Sequence, residues 1–441
     1  MKRIQLKGKN LLLLVILLAG NIASAASDDN ARKTPFPFIR GLRVYGGTNE
    51  FQPPIIIKGD TTADGQPNAA NDVITIDFDV DVSPPPNLRI KFWHCNRDWK
   101  IDDSIFLIDF THNQSLYLDL APAPNGVEHY KYHYSNQFPD GQDVVRFDFS
   151  GNWIFQIFDV ETKEIYADGR FIVVEPLADV SMGVKNDYLT EEQFPFYMIH
   201  KVAVSVNLPE SLYREYVTTV DVYQNWRFYN PYRIDLNDRD PYTFVGGINL
   251  PKKEFIISNI FPGNEYRRLD LSNITLYPNG QLVKLVQGND LSRYLHQGAP
   301  DMGGSAMLKQ FTGIKSDYLK VMFRLDLPTK LNQDIFVVGA FNNWRPTLDD
   351  RLIYDEDQQL YYVYKWMRRG IYDYQYITGV WDAKQGKVID QDWLELEGND
   401  WQTVNTYSAV IYYNDPRFGG FDRIIGFVRG SSSGMVAEDG K

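Results

Sequence analysis

The stretch Ile74-Thr75-Ile76-Asp77-Phe78-Asp79-Val80-Asp81-Val82 places an apolar residue at every second position. Side chains of a β-strand alternate between faces, so this spacing puts an oily face on one side and an acidic face on the other. It predicts a half-buried strand with its aspartates in solvent. The pattern returns at Leu88, Ile90 and Phe92 after the Pro84-Pro85-Pro86 break. Phe147 and Phe149 lead into Ser150-Gly151-Asn152, and Trp153, Phe155 and Ile157 follow, which reads as a hairpin. Arg170 to Val174 closes this region and Pro176 marks its boundary.

Further along the chain, Lys201 to Val206 and Thr218 to Tyr223 alternate again, separated by turn clusters such as Asn230-Pro231 and Asp240-Pro241. Between Gly288 and Gly313 the periodicity fades, and Gly303-Gly304-Ser305 reads as a linker or mobile loop. Tyr318 to Leu325 and Ile335 to Val338 are strands. Leu360 to Trp366 and Ile371 to Ile377 read as a hairpin around Arg368-Arg369-Gly370, with tyrosines alternating along both arms. Val404 to Tyr413 and Ile424 to Val428 supply the last strands of this third region. No amphipathic helical pattern persists over several turns. Short strands with regular turn signals, together with 28 Tyr and 26 Phe, predict an all-β chain of tandem immunoglobulin-like β-sandwich domains.

The expected organisation is a signal peptide over 1–25, a first sandwich over 26–176, a middle β-rich domain over 177–316, a C-terminal sandwich over 317–429 and a disordered tail over 430–441. The leader rests on Lys2, Arg3, Lys7 and Lys9, the apolar run Leu11 to Ala19, and the small-x-small triplet Ala23-Ser24-Ala25. The run is too short to cross a bilayer as a helix, for which about 20 residues are needed. No cysteine near the cleavage site invites a lipid anchor.

The net charge of −12 argues against a nucleic-acid partner, because phosphate binding rests on basic patches. Cys95 is the one cysteine, so no intramolecular disulfide forms, and a buried thiol is expected. The motifs of phosphate loops, zinc proteases and serine hydrolases are absent. His129 and His133 stand four apart and could share a strand face, but no third ligand is evident beside them. The pairs Asp102-Asp103 and Asp349-Asp350 read as turn chemistry rather than as facing catalytic acids. No catalytic, metal or cofactor residue is assigned. Trp344, with Asn343 beside it, either offers a stacking face to a sugar or plugs the end of its own sandwich.

Two resemblances emerge from these residues. Val337 to Trp344, Tyr362 to Trp366 and Gly370 to Tyr376 resemble the early-set sandwich of glycogen-binding modules. His94-Cys95-Asn96-Arg97-Asp98-Trp99, Tyr132-His133-Tyr134 with Phe138-Pro139, and Ser150-Gly151-Asn152 before Arg170-Phe171 resemble the plug proteins of the type IX secretion system. So do Gln224-Asn225, Pro262-Gly263-Asn264-Glu265-Tyr266-Arg267 and Phe421-Asp422-Arg423-Ile424-Ile425-Gly426. The second resemblance implies a non-enzymatic periplasmic protein that associates with the outer-membrane translocon barrel and closes its periplasmic opening. The first implies, as the alternative, a glucan-binding protein. The motif residues His94, Cys95, Asp98, Trp99, Gly151, Asn152, Asn225, Gly263, Asn264, Glu265, Arg423 and Gly426 are read as structural, with Asp98 and Trp99 holding a loop.

Overall fold

A computed structural model describes residues 39–432 except 61–67, 69–70, 142–143, 190–197, 286–287 and 294–300. The expected signal peptide and most of the expected tail therefore lie outside the described residues. Among those described, the chain is strands joined by loops and short 3-10 turns, with no α-helix. Six sheets pair into three sandwiches.

In the first sandwich, Ile74–Val80 lies between Ile39–Gly46 and Tyr132–Phe138, and Leu120–Pro122 completes that sheet. The facing sheet runs Ile55–Ile57, Ile165–Val174, Gly151–Asp159, Leu88–Cys95. Ile74, Ile76, Phe78 and Val80 point into the core as their spacing requires, Phe78 stacking on Tyr134 at 4.6 Å. Phe92 of one sheet meets Phe138 of the other edge-on at 5.0 Å. The hairpin in this region joins Gly151–Asp159 to Ile165–Val174. Phe147 and Phe149 form no strand arm. They lie in a loop, with Phe147 packing edge-on to Phe92 and Trp153.

The middle sandwich pairs the sheet Thr243–Gly246, Lys252–Ile260, Met198–Asn207, Asp179–Tyr188 with the sheet Tyr232–Asp235, Thr219–Gln224, Thr406–Asp415, Phe421–Ser431. Its core joins Val202, Val204 and Phe255 to Val220, Tyr407 and Ile411. The last two strands were expected in the third region, but Thr219–Gln224 pairs residue by residue with Tyr407 to Tyr412. Phe421–Ser431 also carries strand structure into the segment expected as tail. The third sandwich begins at Arg267–Asp270, well before 317, and is inserted into the middle one. Its sheets centre on Ile371–Asp382 and on Tyr318–Asp326. Its core runs from Leu269 and Val283 through Phe323 and Val337 to Tyr374 and Tyr376.

Leu360–Arg368 and Ile371–Asp382 are not a hairpin. The first pairs with Tyr318–Asp326 and the second with Asp334–Gly339, in opposite sheets. Arg369 turns the corner between them. It is fully buried and donates to the carbonyls of Leu271 and Tyr277, both at 2.7 Å. The Gly303-Gly304-Ser305 segment is no loose linker: the Gly304 amide donates to Asp373 at 3.0 Å, and Ser305 is buried.

Candidate functional site

The polar residues that sequence reading singled out gather where sandwiches meet. On Leu88–Cys95 and the turn after it, His94 donates or accepts at Asp102 (2.6 Å) through Nδ1 and at the Ser150 carbonyl (3.1 Å) through Nε2. Asn152 donates to the Asn96 carbonyl at 3.1 Å and accepts from the Tyr412 hydroxyl at 3.1 Å, which crosses into the middle sandwich. Arg97 crosses too. Its Nη2 and Nε donate to Asp422 at 2.7 and 3.1 Å, and Asp422 also accepts the Arg97 amide at 2.9 Å. Arg233 binds buried Asp221 through Nε (2.8 Å) and Nη2 (3.0 Å), reaches Asp98, and donates to the Arg97 carbonyl at 2.7 Å. Arg423 links Glu175 to Asp415.

An apolar layer surrounds these charges: Ile55, Ile172 and Val174 of the first sandwich against Tyr223, Val410 and Ile424 of the second. Gly151 has a φ of +147°, and a Cβ there would meet the His94 ring and stand 2.9 Å from the Asp422 carbonyl. At Gly426 a Cβ would stand 2.6 Å from Val180 Cγ2. These positions are glycine because two layers touch there. Cys95 is fully buried, and burial pushes its thiol up to about 12, so it stays protonated and inert.

The aspartates of Ile74–Val80 overturn the half-solvated reading, since every residue of that strand is buried. Its acidic face rests on the third sandwich. Asp79 accepts from the Tyr318 hydroxyl (2.8 Å), His133 Nδ1 (2.7 Å) and Arg368 Nη1 (3.3 Å). Asp77 accepts from Tyr45. Beside them Asp317, fully buried, takes the amides of Glu128 (3.1 Å) and His129 (3.0 Å) and the His129 ring (3.1 Å). Glu50 takes the Leu308 amide at 2.9 Å and Arg43 at 2.8 Å. His129 and His133 are thus held by two different carboxylates and share no ligand site. Buried charges need this degree of pairing, because an unpaired one costs several kcal/mol, roughly 3–5.

Gly263-Asn264-Glu265 forms one of two chain crossings between the middle and third sandwiches, with Asn399 to Asn405 as the other. The Gly263 amide donates to Asn399 at 2.9 Å, and the Asp400 amide to the Gly263 carbonyl at 2.7 Å. Asn264 donates to the Glu397 carbonyl at 3.1 Å and accepts the Glu265 amide at 2.9 Å. Asn225 holds Asn405 (2.7 Å) and the Tyr266 hydroxyl (3.0 Å). Its φ of +53° is a left-handed conformation that Asn tolerates.

Trp344 is fully buried, with its indole N–H on the Gly304 carbonyl at 2.7 Å and its ring on Tyr266 at 4.6 Å. No face remains for a sugar, which corrects the stacking alternative. Asn343 donates to the Leu42 carbonyl at 3.3 Å, in the first sandwich. Trp99 likewise faces Arg170 at 4.5 Å. What the sequence hid were Asp79, Asp317 and Glu50, which lie in alternating or loop contexts that read as solvated.

The described chain is thus an all-β body of three sandwiches joined through buried ion pairs, with its motif residues at the joints. Residues 39–175, the first sandwich from its first strand to its last, match the family described as "Type 9 secretion system plug protein 1st domain". Over this segment the chain is similar to the first domain of type 9 secretion system plug proteins, the family its motifs resemble. The crystal structure of a hypothetical protein from Parabacteroides merdae ATCC 43184 is similar at a TM-score of 0.71 and 23% identity, covering 89% of this chain and 97% of that one. That likeness shows the fold alone. A biofilm associated protein B domain, at a TM-score of 0.16, carries no argument. No curated protein matches the chain.

Proposed function

We propose that this chain is a non-enzymatic plug at the periplasmic face of the outer membrane, where it associates with the translocon barrel of the type IX secretion system and occludes its periplasmic opening. The match of the first sandwich to plug-protein first domains carries this reading. The construction of the body supports it. A plug must cover a pore without shearing, and sandwiches tied by buried pairs such as Arg97–Asp422 and Tyr318–Asp79 resist sliding.

A contact surface is also available. Between Ile101 and Asp119 the first sandwich exposes Ile105, Phe106, Phe110 and Tyr117, and Phe418 stacks on Phe106 at 5.5 Å. Exposed apolar residues gathered on one segment, with Phe106 and Phe110 lining one cleft, suit an interaction surface. We assign this face to the barrel. Deleting the gene should make cells permeable to a large hydrophilic antibiotic that the intact outer membrane excludes, and restoring the gene should reverse this. Unchanged permeability in the deletion strain would remove occlusion from the account.

A further inference from the structure

The three sandwiches leave a cleft of about 650 Å³ at their junction, and each contributes to its wall. Arg170 comes from the first, Tyr229 and Tyr232 from the second, and Arg345, Lys387 and Gln391 from the third. Arg170 is the unusual member. Its guanidinium lies against the rings of both Trp99 and Tyr229, 4.5 Å from each centroid. These cation–π contacts satisfy none of its N–H donors, and among the described residues no side chain or carbonyl accepts from it. The neighbouring carboxylate, Asp168, is engaged by Arg345 at 2.8 Å. Burial draws the Arg170 guanidinium below its ordinary range, so its charge sits in a partly desolvated place. Arg170 is half-buried and lines the open cleft, where an incoming acceptor can reach its N–H donors. Arg170, Arg345 and Lys387 outnumber the one carboxylate of the lining, Asp390, in a chain with a net charge of −12.

The same cleft holds a strand edge. Lys387–Asp392 pairs with Ile371–Asp382 on one side, and among the described residues nothing pairs with its other side. Tyr232, at the cleft, begins a second edge strand that pairs with Thr219–Gln224 alone. A free edge beside a half-buried guanidinium with no acceptor of its own fits an extended peptide: backbone bonds add it to the sheet, and a carboxylate fills the arginine fork in a planar two-bond contact. The volume lies within the range of about 300–1,000 Å³ typical of ligand clefts.

We propose that this junction is a binding site for an extended peptide segment bearing a carboxylate, either a chain terminus or an Asp or Glu side chain, with Arg170 as its anchor and Arg345 and Lys387 beside it. The site does not depend on occlusion of a barrel, and its failure would leave that reading standing.

The test uses the purified full chain on an array of nine-residue peptides of alternating apolar and polar residues. Each sequence is presented with a free C-terminal carboxylate, as an amide with one internal Glu, and as an amide with Gln in place of that Glu. Retention on the first or second form and not on the third is expected, and the form that retains the chain names the source of the carboxylate. Arg170→Gln should weaken retention at least tenfold. Should that variant fail to fold, the surface pair Arg345→Gln with Lys387→Gln should weaken it severalfold. Retention on no form, equal retention on the Gln form, or full retention by the folded variants would overturn the site.

Discussion

Arg97 and Asp422 stand 325 positions apart and meet in a two-pronged ion pair at 2.7 and 3.1 Å, where the first sandwich rests on the middle one. Asp422 is nearly buried, and its carboxyl feels burial first. The hydrogen bonds from Arg97 outweigh that and hold it below the usual carboxylate range. The pair therefore closes a seam between an early and a late part of the chain.

Removing one partner strands the other. Arg97→Ala should cost about 3 kcal/mol in urea unfolding, and Asp422→Asn somewhat less, because the amide keeps one acceptor. A double-mutant cycle should give a coupling of about 1 kcal/mol or more. Additive effects would show that the seam is held by its apolar layer alone.

Gly151→Ala should destabilise by about 2 kcal/mol or more, since a φ of +147° strains any L side chain and the new Cβ meets the Asp422 carbonyl at 2.9 Å. By contrast, Gly280→Ala should cost about 1 kcal/mol, from its φ of +76° alone, because a Cβ there meets nothing within 4 Å. Thermal melts of the two variants separate steric crowding from backbone strain.

Trp344→Ala should cost about 3–5 kcal/mol, the range for emptying a large aromatic from a core. It should leave the response to soluble glucans unchanged from that of the parent chain in titration calorimetry. A glucan signal that vanishes with Trp344 would contradict its burial.

Two buried groups impose opposite pH slopes. Burial, reinforced by Asp301, raises the Asp373 carboxyl to about 7. The folded state then holds a proton that the unfolded state releases, so this group's contribution is full below its unfolded pKa of about 4 and is lost as pH rises toward 7. His200, which touches Tyr407 at 2.6 Å, is lowered by burial to about 4. The unfolded state takes its proton first, so that contribution is lost as pH falls from about 6.5 to 4. Asp373→Asn should make stability climb more steeply between pH 4 and 7, and His200→Phe should make it fall. Unfolding free energies across that window check both signs.

Local periodicity made the strands legible. Lys201 to Val206 and Tyr318 to Leu325 alternate because one face of each is buried, and both are strands. Pairing partners were not legible. Thr406–Asp415 follows the third sandwich in sequence yet completes the middle one, and nothing in its own residues names Thr219–Gln224 as its neighbour. Arg368-Arg369-Gly370 read as the turn of a hairpin, whereas Arg369 is bonded to the Leu271 and Tyr277 carbonyls inside a corner between two sheets. Asp77 and Asp79 read as the acidic face of a half-buried strand, yet both are buried. Alternation says that two faces differ, and a second sandwich can supply the polar partners that solvent would have supplied. Of the joints between sandwiches, those carrying His94, Asn152 and Gly263 were visible through their motifs, and the one carrying Asp79, Asp317 and Glu50 was not.

The central claim is association with the translocon, and crosslinking in intact cells tests it most directly. A photo-reactive residue placed at Phe106 or Phe110, in the exposed aromatic face, is activated in cells and the adducts are identified by mass spectrometry. The account predicts one dominant adduct, a very large outer-membrane barrel of the secretion system, and its loss when the same group is placed at buried Trp344. Adducts confined to abundant periplasmic proteins, with no such barrel from either position, would contradict it.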